Sequence, residues 1–369
     1  MVSIAVSFFV IITAVSVSSG YRKEIRAGIS NLCGDIQILP DDLNYASVQT
    51  PVPDSVSWLA GLKAFPGVKS VNPAVYKAGI MKSEDNIHGV LFKGTERDDT
   101  TTLGVSVPSA LADKLSLKAG DDLLTYFIGD KVKVRKFRIT DIYNGVLDGN
   151  DNLVVFAGID DLRRLEGWEE GDASCFEVIL DPSRRSVPKM KETATLVGTY
   201  ILTNETEDDP DVAVTSAAGR YPQIFAWLDL IDFNVLWILI LMIAVAGFNM
   251  ISGLLILLFR NISTIGTLKS LGMTNWSISK VFLRVASSLV LKGMAIGNGL
   301  ALAFIAIQGT TKLIKLNPEN YFVSFVPVRL NLPWILSCDA IAYVAIMLLL
   351  LIPCLFVSRV DPAQTVRSQ

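Results

Sequence analysis

Four long apolar stretches constrain this chain more than any other feature of its sequence. They lie at residues 3–20, 233–259, 281–307 and 332–357, and a helix of about 20 apolar residues is enough to cross the ~30 Å core of a bilayer. Such stretches must be helical, because lipid offers no partner for backbone polar groups. The first stretch lacks the charged leader of a signal peptide, and it is longer than the apolar region of a signal peptide. We therefore expect it to be retained as a transmembrane helix. The sequence therefore predicts an α-helical membrane protein with four transmembrane helices.

The charges are divided unevenly between two parts of the chain. Residues 21–232 carry 23 Lys and Arg against 33 Asp and Glu, a net charge of −10, whereas the remaining residues carry 10 against 3, a net charge of +7. The first part has the composition of an acidic soluble domain, and the second is nearly charge-free and apolar. This division excludes a disordered chain, a coiled coil and a nucleic-acid-binding protein, because no basic stripe is available to neutralise phosphates.

Four spans place both chain ends on one side of the membrane and the acidic domain on the other side. Lys and Arg outnumber acids in the short connector after the second span and recur in the tail, which favours a cytoplasmic location for both. The predicted order is helix 1 at 1–20, an extracytoplasmic α/β domain at 21–232, helix 2 at 233–259, a cytoplasmic connector at 260–280, helix 3 at 281–307, a periplasmic loop at 308–331, helix 4 at 332–357 and a cytoplasmic tail at 358–369.

The acidic domain has the patterning of a mixed α/β fold. Apolar residues at steps of three from Val56 to Phe65 predict a helix that stops at Pro66. Alternating residues on both sides of Gly129 predict a β-hairpin. We expect a last helix to start near Val212 and to run into the second span. The other predicted elements are strands at 34–39 and 174–180 and helices at 108–117 and 186–197.

The sequence carries no motif for catalysis, a cofactor or a metal ion. His88 is the one histidine, so neither a histidine-dependent triad nor an HExxH zinc site can be assembled, and no P-loop motif occurs. The Asp-Asp pairs lack the alternating ligands of a calcium loop, and we interpret them as solvated surface. Cys33 and Cys175 could form a disulfide, although free thiols are the favoured alternative. We expect a protein that is not itself an enzyme.

Polar residues inside apolar spans point to pairing or function. Lys292 lies about 18 Å into the third span and Asp339 about 10 Å below the opposite surface, at 1.5 Å per residue. In a core of ~30 Å these depths nearly coincide, so the sequence predicts a Lys292–Asp339 pair. The alternative is that both side chains face a wet cavity without pairing. Gly293 and Gly297 form a GxxxG spacing, which is typical of a helix contact face.

The connector between the second and third spans predicts a short amphipathic helix. Ile262, Ile265, Leu268 and Leu271 follow one another at steps of three, and Gly272 ends the helix. Such a helix either rests on the membrane surface or is offered to a cytoplasmic partner. Composition alone favours the first interpretation.

The segment Ile265-Gly-Thr-Leu-Lys-Ser-Leu-Gly-Met strongly resembles the coupling helix of the FtsX-like, MacB-type permeases of ABC transporters. The segments that begin at Gly20, Gly34 and Leu115 fall in that family's order, and the ending from Arg359 to Arg367 resembles the family's C-terminal motif. The spacing is most similar to the lipoprotein-releasing LolC/LolE branch. Two departures stand out. Thr264 occupies the position of the usual acid, and about twenty residues that precede the first span in the family are missing, so we expect a truncated start.

The resemblance implies a permease subunit in the bacterial inner membrane that works with a separate ABC ATPase subunit and with a second permease, identical or different. It implies that the substrate is a lipoprotein, passed to a periplasmic acceptor, with membrane lipid as the surroundings. A MacB-like export permease for another substrate and an FtsX-like signalling subunit that controls a cell-wall hydrolase remain alternatives. The residues that the resemblance assigns to coupling with the ATPase are Ile265, Gly266, Leu268, Lys269, Leu271 and Gly272.

Overall fold

The computed structural model describes residues 1–40, 50–83, 86–96, 102–129, 131–144, 153–317 and 321–354. The chain divides into two compact units. The first, here the membrane unit, comprises Met1–Arg22, Leu228–Lys315 and Val326–Gln369. The second, here the sheet unit, comprises Lys23–Trp227 and Leu316–Phe325.

The sheet unit contains both strands and helices, whereas the membrane unit is mainly helical. The helices are α1 (Val2–Cys33), α2 (Leu59–Lys63), α3 (Ser109–Leu115), α4 (Ile159–Glu166), α5 (Val187–Asn204), α6 (Ala217–Arg220), α7 (Pro222–Arg260), α8 (Ile262–Ser270), α9 (Asn275–Thr311), α10 (Leu332–Leu349) and α11 (Leu351–Cys354). The strands are β1 (Ile36–Pro40), β2 (Val68–Ser83), β3 (Asn86–Thr95), β4 (Gly104–Pro108), β5 (Asp122–Phe127), β6 (Lys133–Tyr143), β7 (Val154–Gly158), β8 (Cys175–Leu180) and β9 (Val212–Ser216).

Four helical segments of the described chain are long and apolar enough to cross a membrane, judged by length and composition. They are α1, α7, α9 and the α10–α11 segment Leu332–Cys354. Each contains most of one predicted span, and α1 and α7 extend well beyond the predicted bounds because the helical pattern continues through the polar residues at their ends. The core of the membrane unit is built where the helices meet. It includes Phe8 of α1, Met250 of α7, Val290 of α9 and Ile346 of α10.

One half of the sheet unit is an antiparallel sheet with strand order β2-β8-β1-β9. Along the chain its elements follow as β1, α2, β2, then β8, α5, β9, which is a split β-α-β arrangement repeated once. Helix α2 packs against β2 and helix α5 against β9. The residues between β2 and β8 form the other half of the unit.

That other half is a closed six-stranded barrel. Its strands pair in the circular order β2, β3, β7, β4, β6 and β5, because β3 pairs with both β7 and β2. The rings of Phe92, Phe127 and Phe137 fill its centre, with centroids 5.0 to 6.1 Å apart. The 16-residue strand β2 belongs to both halves, since its first part pairs with β8 and its second part with β3.

Several local predictions are confirmed and two are wrong. The hairpin on both sides of Gly129 is present as β5 and β6. The helix expected from 54 to 65 is reduced to α2, and turns at 54–55 and 57–58 take the place of its expected first half. The helix expected from Val212 is instead strand β9, whose β-branched residues pair with β1, and helix α7 begins only at Pro222. Cys33 and Cys175 are both buried free thiols.

Candidate functional site

Helix α8 is a nine-residue helix between two apolar helices, and its ends are fixed by local hydrogen bonds. At the end of α7, the Asn261 side chain donates a hydrogen bond to the Leu257 carbonyl 2.8 Å away. At the other end Gly272 has a φ of +88°, a conformation that glycine adopts without strain. The Met273 amide then donates to the Leu268 carbonyl at 3.0 Å, and Thr274 caps α9. The connector is therefore a defined helix rather than a loose loop.

The two sides of α8 differ in burial. Ile265 and Gly266 are buried and Leu268 packs partly against the membrane-unit core. Leu271 is 79% exposed, and Gly272 is exposed as well. Of the six residues that the resemblance assigns to coupling, three thus face the helices of this chain, and the C-terminal end of α8 is exposed. Lys269 lies between the two sides and is half-buried.

Asp339 pairs with Asn298 and not with Lys292. The Asn298 amide nitrogen donates to the Asp339 carboxylate at 2.7 Å, and Asp339 is buried. Lys292 lies on the exposed side of α9, and in the described chain its ammonium makes no ion pair with Asp339. The predicted pair is therefore corrected: Asn298 lies six positions, about 9 Å, further along α9 than Lys292 and on another side of the helix, and it is Asn298 that faces Asp339 of α10.

Asn298 and the hydroxyl pair of Ser287 with Tyr343 are polar contacts between α9 and α10 that the sequence analysis missed. The two hydroxyl oxygens lie 2.7 Å apart. The available signal was the position of Asn298 directly after a glycine in an apolar run, where an amide needs a partner. For pairing within the spans, the sequence analysis considered only charged residues and therefore missed Asn298. Together the two contacts hold α9 against α10 by side-chain hydrogen bonds at two levels.

Gly293 and Gly297 lie where α9 crosses α1. A Cβ at Gly293 would stand 2.8 Å from Ile4, and one at Gly297 would stand 2.9 Å from the Cβ of Phe8 and closer still to the Ala5 carbonyl oxygen. Neither position has room for a side chain. These two glycines allow the backbones of the helices to approach closely, as small residues do in membrane bundles.

A buried polar cluster in the sheet unit holds the C-terminal end of α1. The Lys93 ammonium lies 2.7 Å from the Glu177 carboxylate and donates to the carbonyls of Asn31 at 2.8 Å and Leu32 at 3.0 Å. The Tyr76 hydroxyl lies 2.5 Å from Glu177 and 2.7 Å from the Leu32 carbonyl. Burial and the neighbouring Glu177 raise the pKa of Tyr76 well above its usual value. A cation at a helix C-terminus also interacts favourably with the helix dipole.

The described residues contain no group of three His, Cys, Asp or Glu side chains arranged to hold a metal ion. His88 lies on β3 beside a cavity of about 590 Å³ whose lining includes Gly89, Val90 and Lys114. The features that remain as a candidate site are α8 with its open end, the glycine crossing of α1 and α9, and the cluster at the end of α1. They hold helices in place and offer surfaces; they do not assemble reacting groups.

These features define a class of protein: a membrane protein whose apolar helices accompany an α/β domain, with a short helix exposed between two of the spans. Comparison with known proteins narrows the class. The profile of the family described as FtsX-like permease C-terminal matches residues 236–362. The chain is 20% identical to the lipoprotein-releasing system transmembrane protein LolC of Neisseria meningitidis serogroup B, over 99% of this chain and 92% of that protein.

Two solved structures are also similar in part. One is the extracellular domain of the noncanonic ABC-type transporter YknZ from Gram-positive bacteria, at 15% identity and a TM-score of 0.30, over 49% of this chain and 99% of that one. The other is the periplasmic region of MacB from Actinobacillus actinomycetemcomitans, at 12% identity and a TM-score of 0.33, over 53% of this chain and 95% of that one. On the family profile and the LolC match, the chain carries an FtsX-like permease domain. The C-terminal third of the chain is thus similar to FtsX-like permeases, and the chain along nearly its whole length is similar to LolC.

Proposed function

We propose that this chain is the permease subunit of a transporter that couples ATP hydrolysis in a separate ATPase subunit to the release of lipoproteins from the outer leaflet of the bacterial inner membrane. The observation that carries the proposal is the similarity to LolC along 99% of the chain, which includes the sheet unit as well as the membrane unit. In this proposal the sheet unit is periplasmic, and a second permease, identical or different, completes the complex.

The geometry of α8 supports the coupling step. Because Ile265 and Gly266 are anchored in the core, a force applied at the exposed end near Leu271 is passed to the packed helices and not lost in a flexible loop. Helix α7 begins at Pro222 in the sheet unit and ends one residue before α8. Closure of the ATPase subunits would press on α8, and α7 would carry the displacement along its length.

The energetics explain why lipoprotein release needs ATP. Moving an acyl chain out of the bilayer costs ~0.8 kcal/mol per CH₂ group, so acyl chains with about forty such groups cost roughly 30 kcal/mol. Passive exchange is therefore slow. A machine that opens a lipid-facing cavity and then closes it can divide this cost between binding and hydrolysis. In this proposal the exposed apolar sides of α1 and α7 line the cavity.

The test is to purify the complex from native membranes through a tag on the full chain and to search for co-purified acylated protein by mass spectrometry. We expect peptides that begin with an acylated cysteine, and we expect ATP, but not a non-hydrolysable analogue, to release them. Recovery of only a non-acylated cargo would favour the export alternative, and recovery of only a cell-wall hydrolase the signalling alternative. Either result would overturn lipoprotein release.

A crosslinking experiment tests the cavity itself. Single cysteines replace Leu236 and Leu241, which are exposed apolar residues of α7, and Met250, which is buried on the same helix. We expect photo-crosslinkers at the two exposed positions to capture acylated protein, while the Met250→Cys control does not. Equal capture at all three positions, or at none of them, would contradict the assignment of α7 to the cavity.

A further inference from the structure

Strand β9 is an edge of the antiparallel sheet, and its outward backbone groups can be identified from the register. The Ala217 amide donates to the Asp35 carbonyl at 2.9 Å, which fixes the phase of the β1–β9 ladder. In an antiparallel ladder hydrogen-bonded and non-hydrogen-bonded pairs alternate. Ala213 and Thr215 therefore bond to β1, whereas the N–H and C=O groups of Val212 and Val214 point away from it. Within the described residues these groups have no backbone partner.

A groove runs beside this open edge. It is a cavity of about 600 Å³ between β9 and one side of α5. Gly198 of α5 lines the groove opposite Val214, and a Cβ at Gly198 would be 3.7 Å from that of Val214, so a side chain larger than alanine at this position would extend into the groove. The lining includes Lys191, Thr195, Gly198, Thr199 and Leu202 of α5, with Val212, Val214 and Ser216 of β9 and Gly219 of α6.

The length and chemistry of the groove match an extended polypeptide. From Lys191 to Leu202 the helix rises about 16 Å at 1.5 Å per residue. Five residues in extended form span about 17 Å. Unsatisfied backbone donors and acceptors on an edge strand are the groups that bind an added strand, and a groove beside them receives its alternate side chains. The site therefore fits a segment of about five residues.

The charged residues at one end of the groove are acidic. The turn between α5 and β9 carries Glu205, Glu207, Asp208, Asp209 and Asp211. Asp209 accepts hydrogen bonds from Ser57 and Thr206, which hold its pKa below the usual value and keep it ionised. Lys191 is the only cation among the residues named in the lining. This end of the groove attracts positive charge.

We propose that the groove between α5 and β9 binds an extended segment of a partner polypeptide by strand addition to β9, with basic side chains of that segment placed against the acidic turn. The main-chain hydrogen bonds to Val212 and Val214 supply affinity, and the acidic turn selects the charge of the partner. The proposal concerns a docking site for a polypeptide and does not depend on the cargo of the transporter.

The test uses the detergent-solubilised full chain and a fluorescent peptide in which three lysines precede alternating threonine and valine. Val214→Pro removes an outward donor and leaves the bonds to β1 in place, since proline is accepted at such an edge position. Gly198→Trp fills the groove, and Leu196→Trp, an exposed position on α5 outside the lining, is the matched control. By fluorescence anisotropy we expect Val214→Pro and Gly198→Trp each to weaken binding at least tenfold and Leu196→Trp to leave it unchanged.

Two further measurements distinguish a basic partner segment from other occupants of the groove. Hydrogen exchange on the full chain should protect the amides of Val212 and Val214 when the peptide binds, and a peptide with glutamates in place of the lysines should bind at least tenfold more weakly at low salt. Equal binding to wild type and to both groove variants would overturn the proposal. So would a loss of self-association in Val214→Pro measured by sedimentation, because a second copy of the chain would then be the occupant.

Discussion

The glycine crossing of α1 and α9 gives a quantitative prediction with a built-in control. Gly297→Ala adds a Cβ that would stand 2.9 Å from the Cβ of Phe8, whereas ordinary contacts begin at about 3.4 Å, so the helices must separate by at least about 0.5 Å. The Ala5 contact is to a backbone carbonyl, which no side-chain rotation can relieve. Gly299 lies on the same helix with nothing within 4 Å of a Cβ.

The expected free energies follow from two opposing effects. Alanine in place of glycine favours a helix by up to about 1 kcal/mol at both positions. Overpacking costs about 1–3 kcal/mol and applies only to Gly297→Ala. The two variants should thus differ by about 1–3 kcal/mol, or about 5-fold to 150-fold in the unfolding equilibrium constant.

The measurement is equilibrium unfolding of the detergent-solubilised full chain with SDS, followed by tryptophan fluorescence. We expect Gly299→Ala to unfold at the same or a higher SDS fraction than wild type and Gly297→Ala at a lower one than Gly299→Ala. If the two curves coincide, the backbones of α1 and α9 do not approach as described and the helix-contact role of Gly297 is refuted.

Three further predictions concern other parts of the chain. Leu271→Asp should abolish ATPase-coupled transport without changing the melting temperature, while Leu313→Asp, at a residue 75% exposed against 79% for Leu271, should leave transport intact; equal loss would contradict the role of α8. Lys93→Met should cost about 3–5 kcal/mol of unfolding free energy, because buried Glu177 loses the Lys93 cation and keeps only its hydrogen bond with Tyr76; a loss below about 1 kcal/mol in chemical denaturation would contradict the cluster. Burial raises the pKa values of Tyr76 and Cys175 in the folded state, so stability is full below their ordinary values of 10.0 and 9.0 and should fall as pH rises above 9; a melting temperature constant up to pH 11 would contradict this.

The sequence predicted the long helices and the separation of the acidic domain because hydropathy and charge are local properties of a segment. It failed where an outcome depends on rotation or on distant partners. Depth along a helix predicted a Lys292–Asp339 pair, but the α9 residue that faces Asp339 is Asn298, which lies six positions further along and on another side of the helix. The Lys93–Glu177 pair joins residues 84 positions apart, and the sequence around either residue does not indicate the other as its partner.

The missed strand at β9 has a similar cause. Val212 to Ser216 contains β-branched residues that suit a strand, yet the segment is short and followed by helix formers. Pairing with β1, more than 170 positions away in sequence, decides its conformation. The spacing of apolar residues predicted the position of helix α8 along the chain, but only the structure separates its buried residues from the exposed ones.

The barrel is an insertion between two adjacent strands of the antiparallel sheet, β2 and β8. The barrel begins where Ala74 leaves the sheet and ends where Cys175 enters it, and these two residues are direct partners in the β2–β8 ladder. A tight two-residue turn joining them would close an ordinary hairpin and leave the four-stranded sheet order intact. Evolution can therefore lengthen, exchange or delete the barrel at this single seam, while the helices that lead into the sheet keep their connections.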